Sequence, residues 1–463
     1  MPDAPALSPR LACDAYSPRL AAFIANARLA DIDEAAITAA RIFLADTFAV
    51  GIAGTCNPAA DGVFAAMHSA SGAGDVACLG RPGSGLNAYQ AAVVNGFQIH
   101  CLEWDGLHEP SVVIALCATV GALTSELQGH DVSFGELVLA FVVGVETAVF
   151  FGSAAATAPR FFRPSAAGVM GAAAAIGKLR GFDQDQMLNL MGLAYCQAGG
   201  TMQAHWEGSE ALALQVGFAA RAALTAADLV RAGITGPHDV ISGKFGYFAL
   251  FETPGDLDAV LSTWGAPWKI IAVAHKPYPA GRATQAALTA LVAMREEHDF
   301  AADDVASLQA DVPSLIGTLV GRPYAPDMSP SYARLCLQYV VPRMLLDRVV
   351  DPRKFTAADF CGPQIAALAQ RIVLRVDDNP DPNALGPQSI TVVLKDGKQL
   401  RRDIAAPLGC PDNPLTRGQQ IDKIARCFAA AQLHADPAAF LNTFETIGLA
   451  MPARAILAQL EGQ

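Results

Sequence analysis

The chain has 463 residues, of which 52% are hydrophobic and only 16% charged, with 40 glycines and 29 prolines. This length exceeds one compact core, so two domains are expected, and the shortage of charge points to apolar surface covered in an oligomer. A formal net charge of -12 excludes the basic face that nucleic-acid binding needs, while leaving room for a local Arg and Lys cluster around a small anion.

The opening MPDAPALSPRLACDAYSPRL lacks the charged-then-apolar order of a secretion signal, and the longest apolar runs, around 112–123 and 137–145, fall short of a membrane span. A cytoplasmic protein with no membrane partner is expected. The ten cysteines are scattered without a CxxC pair, as in a reducing compartment. HExxH, clustered Cys/His spacings, GxGxxG and GxxxxGK[ST] do not occur, so no metal or nucleotide cofactor is predicted.

Up to about Trp268 the pattern is helical. Residues 31–50 open with acidic side chains that suit a helix N-terminus and stop at Gly51 and Gly54, and Ser133 caps FGELVLAFVVGVETAVFFG. Helices follow at 166–179, 184–198 and 210–231, the last closed by Gly233. Their many Ala and Gly residues allow close approach, and the segment reads as a helical bundle. Beyond Trp268 the period shortens. Residues 269–275, 305–312, 372–376 and 390–394 read as strands, the last followed by the turn Lys395-Asp396-Gly397-Lys398, with helices at 283–297 and 331–346. The tail 421–460 returns to helix and is expected to pack on the first domain. The predicted fold class is mainly α with an α+β second domain: residues 1–269 and 413–463 all-helical, residues 270–412 α+β.

The segments that could carry chemistry lie far apart. HCLEWDGLHEPS, at 100–111, sits between two apolar helices and concentrates Glu103, Asp105 and His108, the alternation of carboxylate and imidazole that proton transfer requires. The plainer alternative is a capped loop with a solvated histidine. FFRPSAAG, at 161–168, puts Arg163 and Ser165 at a helix start, a site for a carboxylate or an ordinary Pro-Ser start. GGTMQAHWEGSE, at 199–210, sets His205, Trp206 and Glu207 between glycines, as backbone near a ligand or as a turn. HKPYPAGRATQ, at 275–285, carries Lys276, Tyr278 and Arg282, and ends on Gln285, in a loop whose prolines limit the entropy lost on closing around an anion. SYARLCLQY, at 331–339, spaces Arg334 and Gln338 by one helical turn and ends on Tyr339; a core helix with one snorkelling Arg is the simpler local reading.

Together these segments resemble the MmgE/PrpD family, which includes 2-methylcitrate dehydratase, cis-aconitate decarboxylase and iminodisuccinate epimerase. The blocks that match in order are LADTFAVGIAG at 44–54, NGFQIHCLEWDGLHEPS at 95–111, RPSAAGVMGAAAAIGKLRG at 163–181, VGFAARAALTAADLVRAGITGP at 216–237, KPYPAGRAT at 276–284 and ARLCLQYVVPRMLLDR at 333–348. The resemblance implies a helical domain built from both chain ends, an inserted α+β lid, a site in the cleft between them, a homodimer, and chemistry without a metal or organic cofactor. It also implies site roles for Glu103, Trp104, Asp105 and His108, although His108-Glu109-Pro110 carries an inserted residue, and for Lys276, Arg282 and Tyr339. Many relatives have His where this chain has Arg163, a Lys and a His where it has Trp206 and Ser209, and a His at Gln285. Arg grips carboxylates but shuttles no protons at neutral pH, so an anion-binding side is kept while the proton-transfer side is rebuilt.

The expected activity is that of a cofactor-independent lyase of the 2-methylcitrate dehydratase/cis-aconitate decarboxylase type on a small di- or tricarboxylate, working through an enediolate-like carbanion, with hydro-lyase chemistry ranked first. Arg163, Lys276, Arg282 and Arg334 form the expected clamp. His108, His205 and Tyr339 are the candidates for proton transfer, with Glu103 or Asp105 as base or as orienter of an imidazole. An epimerase or isomerase of a dicarboxylate is the alternative, and a non-catalytic binding protein on the same fold is the third reading.

Overall fold

The computed structural model describes residues 15–456. The leading segment of the sequence and the end of the expected tail helix, residues 457–460, lie outside the described residues.

Two hydrophobic cores organise the chain. The larger draws on helices from Tyr16–Asn26 to Ala211–Arg231 and is closed by the late helices Arg417–Ala430 and Pro437–Thr446. The smaller lies between residues 280 and 404. Most of the elements that periodicity named lie within a few residues of the observed ones. Glu34–Ala53 is capped by the Asp33 carboxylate, which accepts from the Ala36 N–H at 2.8 Å, and Ser133 and Glu136 form a reciprocal capping box on Phe134–Ser153.

Helix contacts are close because glycines meet. A Cβ on Gly96 would stand 2.8 Å from Gly217 Cα, and one on Gly121 would stand 3.0 Å from Gly96 Cα. Helices Ala88–His100, Leu116–Leu127 and Ala211–Arg231 therefore touch backbone to backbone.

Several expectations need correction. The first domain is not purely helical: Val76–Cys78 pairs antiparallel with Arg81–Leu86, and Leu107–His108 pairs with Val273–Ala274. The expected strand at 269–275 is a short 3-10 turn, Lys269–Ala272, leading into that two-residue strand. Three helices, Glu34–Cys56, Phe134–Ser153 and Ala211–Arg231, are long and apolar enough to cross a membrane by length and composition, which the shorter apolar runs had hidden. In this fold 72%, 89% and 61% of their most apolar windows are buried within the protein, so that apolar surface is used in helix packing.

The second core lies against a four-stranded sheet, in the order Ile372–Val376, Val305–Val312, Gln388–Leu394, Gln399–Ile404. The first pair is parallel and the other two antiparallel. The expected helix at 331–346 breaks into Pro330–Arg334 and Leu337–Asp347 around Leu335 and Cys336. Likewise the C-terminal helical tail is two helices. Lys423 ties the first of them to the core, its Nζ reaching Asp46 Oδ1 at 2.6 Å and the Trp104 carbonyl at 3.0 Å.

Candidate active site

The local order of the chain explains the site. Helix Ala88–His100 stops as the Glu103 N–H donates back to the His100 carbonyl at 2.9 Å. Glu103 then takes a left-handed backbone, φ 54, a strained choice for a side chain that is not glycine. The turn lets Leu107 pair with Ala274, and this register brings Lys276 beside both acids. Lys276 Nζ donates to Glu103 Oε2 at 3.1 Å and to Asp105 Oδ1 at 3.4 Å. His100 Nδ1 donates to Asp105 Oδ2 at 2.9 Å, and its Nε2 lies 3.4 Å from Glu103 Oε1 without hydrogen-bond alignment.

All four groups are buried. Burial by itself pushes both carboxyls up, but the ammonium and imidazole outweigh it: Glu103 is held below its usual value and Asp105 at about 2. Burial likewise opposes the charged forms of His100 and Lys276, and the two carboxylates reverse that, raising both. Two anions thus face two cations. His100, Asp105 and Cys117 also place one possible metal-ligand atom each within 4.8 Å of one another. The Lys276 ammonium already supplies positive charge to Asp105, and burial holds the Cys117 thiol protonated, so these residues make a poor metal site.

Glu103 and Lys276 open onto a cavity of about 80 Å³ between the two cores, with His205, Arg163 and Arg282 on its other walls and Leu107, Met202, Val320 and Leu335 among its apolar lining. Arg282 donates from Nε to Glu109 at 2.7 Å and from Nη1 to the His275 carbonyl at 3.1 Å, while its buried Nη2 has no partner among the described residues. That nitrogen is an unused donor on a residue of the cavity wall. His205 sits on the short helix Met202–Glu207, capped by Thr201. The helix ends at Gly208, φ 69, where a Cβ would meet the Tyr332 backbone N at 2.7 Å.

Arg163 corrects the expected clamp. Nε and Nη2 hold the two oxygens of Glu252 at 2.6 and 3.3 Å, Nη1 donates to the Ser111 carbonyl and Asn383, and Nη2 also donates to the Thr157 carbonyl. All five guanidinium protons have partners, so Arg163 builds the cavity wall and has none left for a ligand.

Arg334 lies outside this cavity, in a smaller void behind Glu103 lined also by His100, Cys101 and Ser331. Its Nε and Nη1 have no partner among the described residues and its guanidinium stacks over Phe355 at 4.5 Å.

Asp105 and seven further expected residues are absent from the cavity's lining. Successive strand side chains alternate, so Leu107 faces the cavity and His108 turns away, its Nδ1 on Ser111 Oγ at 2.8 Å. Trp104 is buried with Arg426 5.4 Å from its ring. Tyr339 belongs to the second core, against Phe355 and Phe360, with its hydroxyl on the Lys354 carbonyl. Ser165 Oγ donates to the Gln215 carbonyl at 2.9 Å. Gln285 bonds the carbonyls of Tyr278 and Ala280, holding in shape the loop that carries Lys276. Trp206 is 66% exposed and Glu207 is exposed with a bond to Gln203. Neither reaches the cavity.

The sequence reading passed over His100, Glu252 and Arg322. Spacing carried a signal for the first alone, since His100 precedes Glu103 by one helical turn.

Residues 18–259 match the MmgE/PrpD N-terminal domain and residues 278–439 the MmgE/PrpD C-terminal domain. The chain belongs to the MmgE/PrpD family. Among curated MmgE/PrpD relatives it is similar to the cis-aconitate decarboxylase of Mus musculus, 28% identical over 81% of this chain and 79% of the mouse protein. It is also similar to the Homo sapiens cis-aconitate decarboxylase, 29% identical over 69% of this chain and 68% of that protein, and to that of Aspergillus terreus, 23% identical over 71% and 72%. The match to both MmgE/PrpD domains spans the two walls of the cavity.

Proposed function

We propose that this member of the MmgE/PrpD family is a lyase on a small di- or tricarboxylate, and that among such reactions it favours decarboxylation. One observation carries the reading: the free Nη2 of Arg282 and the Lys276 ammonium flank a largely apolar cavity beside an ionised Glu103.

One substrate carboxylate pairs with Arg282 Nη2, where a charge-assisted bond is strong. A second lies beside Lys276. A third, over the apolar wall, is the one that leaves, because its charge disperses as the bond breaks and a dry wall disfavours the localised carboxylate. The C–C bond to that carboxylate breaks, carbon dioxide departs, and the electron pair stays on carbon, delocalised into a neighbouring carboxylate. The cations stabilise this enediolate-like charge. Lys276 then gives a proton to carbon, and the amine recovers one from solvent. Glu103 and Asp105 keep Lys276 cationic until that step. The decarboxylase names of the relatives support this order of preference.

A homodimer belongs to the same proposal, supported by exposed Phe218 and Leu229 on one long helix and by Phe245 nearby in sequence, 42%, 36% and 67% exposed. Sedimentation velocity tests it, and a monomer at micromolar concentration refutes that part.

The activity is tested by proton NMR in deuterated water with cis-aconitate, methylcitrate, citrate and iminodisuccinate in turn. Loss of cis-aconitate with one deuterium in the product is the expected result. Loss of water from methylcitrate or citrate keeps the lyase and removes the decarboxylase. Deuterium entering iminodisuccinate without net loss replaces the lyase by an epimerase, and silence across the panel sinks the proposal.

A further inference from the structure

His205 faces the cavity, and its other side meets a cation that no sequence motif singled out. Arg322 Nη2 lies 3.1 Å from His205 Nδ1 and donates also to the Leu319 carbonyl at 3.4 Å, while the guanidinium rests over the Tyr332 ring at 4.8 Å. A guanidinium donates and never accepts, so Nδ1 must offer its lone pair. A neutral imidazole carries one N–H, which therefore sits on Nε2. Nδ1 is engaged by Arg322, leaving Nε2 as the nitrogen available to the cavity.

We propose that Arg322 is a positioning residue that holds His205 as the neutral Nε2–H imidazole, so that His205 serves the cavity as a hydrogen-bond donor and not as a base. The reach of this inference into turnover rests on the lyase reading; the tautomer itself does not.

The surroundings agree. A second proton would have to enter at Nδ1, against the Arg322 charge. The groups facing His205 are Arg322, Glu103 and His100, and Lys276, Arg163 and Arg282 share its cavity. Burial, then Arg322, hold the imidazole pKa down at about 4, and Glu103 opposes this without reversing it. A neutral donor suits an oxygen on which negative charge grows, because it needs no proton from solvent and is aimed in advance. It also gives the site an asymmetry: the proton-donating cation, Lys276, stands beside the acids, while His205 binds oxygen from another wall.

The test is long-range proton–nitrogen NMR on the full chain labelled with nitrogen-15 histidine, His205→Gln identifying the signal among the nine histidines. The expected wild-type result is one neutral Nε2–H form from about pH 8 to about pH 5, with no titration near the ordinary imidazole value. Arg322→Lys keeps a donor and should keep that form; Arg322→Met should give mixed tautomers and a titration moved toward the ordinary value. With whichever carboxylate is turned over, Arg322→Met should lower kcat on the order of 10²-fold with little change in KM. A wild-type Nδ1–H form, an imidazolium at neutral pH, or an Arg322→Met spectrum like the wild type overturns the proposal. If Arg322→Met does not fold, the wild-type tautomer and Arg322→Lys decide it. Absence of turnover on every carboxylate removes the lyase reading and leaves the NMR result standing.

Discussion

Lys276 Nζ lies 3.1 Å from Glu103 Oε2, and the two residues come from opposite sides of a two-residue strand pairing, 173 positions apart. Both are buried, so each makes the other's charge tolerable. Removing one partner of such a pair strands the other. Lys276→Met should cost about 3–5 kcal/mol in urea unfolding, and adding Glu103→Gln should recover part of that loss. Additive effects in this double-mutant cycle would mean that the pair is not coupled.

Arg163 and Arg282 should separate cleanly. Arg163→Lys cannot satisfy Glu252, Asn383 and two carbonyls together, so it should lower stability by about 3–5 kcal/mol. Where that variant folds, KM should stay near the wild-type value. Arg282→Lys removes the free Nη2 and should raise KM by roughly 10- to 150-fold, the equivalent of about 1.5–3 kcal/mol for a charged hydrogen bond. An unchanged KM for Arg282→Lys would place the substrate carboxylate elsewhere.

Stability should fall on mild acidification. Burial holds His108, His205 and His275 at about 4, well below the unfolded value of 6.5. Between about pH 6.5 and pH 4 the unfolded chain binds protons that the native protein refuses, so stability drops by up to about 1.4 kcal/mol per pH unit for each histidine. Asp105, held at about 2, contributes stability that is present above its unfolded value of 3.8 and lost as pH falls toward 2. His100 works the other way: its raised pKa adds stability below 6.5 that is lost as pH rises through the folded value. Urea midpoints measured across pH should therefore peak between these limbs, and a midpoint constant from pH 7 to pH 4 would contradict the assignment.

His108 turns from the cavity, and its bond to Ser111 is local. His108→Gln should keep kcat within about threefold of the wild type, since the change touches no group at the reacting centre. A loss beyond 100-fold would return His108 to the chemistry.

Much of this was already written in the order of residues. Apolar periodicity and cap residues such as Asp33 and Ser133 located the long helices, because capping and burial of one face are local in sequence. Alternating residues located Val305–Val312 and Ile372–Val376 for the same reason. Glu103, Asp105 and Lys276 were visible as polar interruptions of apolar runs. What periodicity cannot carry is which donors are already used. Arg163 reads as a free cation until Glu252 arrives from 89 residues away, and His108 reads as a base until strand alternation turns it aside. Arg322 had no motif at all; only the fold, which packs helix Pro330–Arg334 on helix Met202–Glu207 and brings in the loop before it, makes Arg322 a partner of His205. Sequence determined which elements form and where charge is concentrated, because those are short-range properties. The tertiary structure decided which charges meet and which remain free for a ligand, because hydrogen-bond partners are chosen by distance in space.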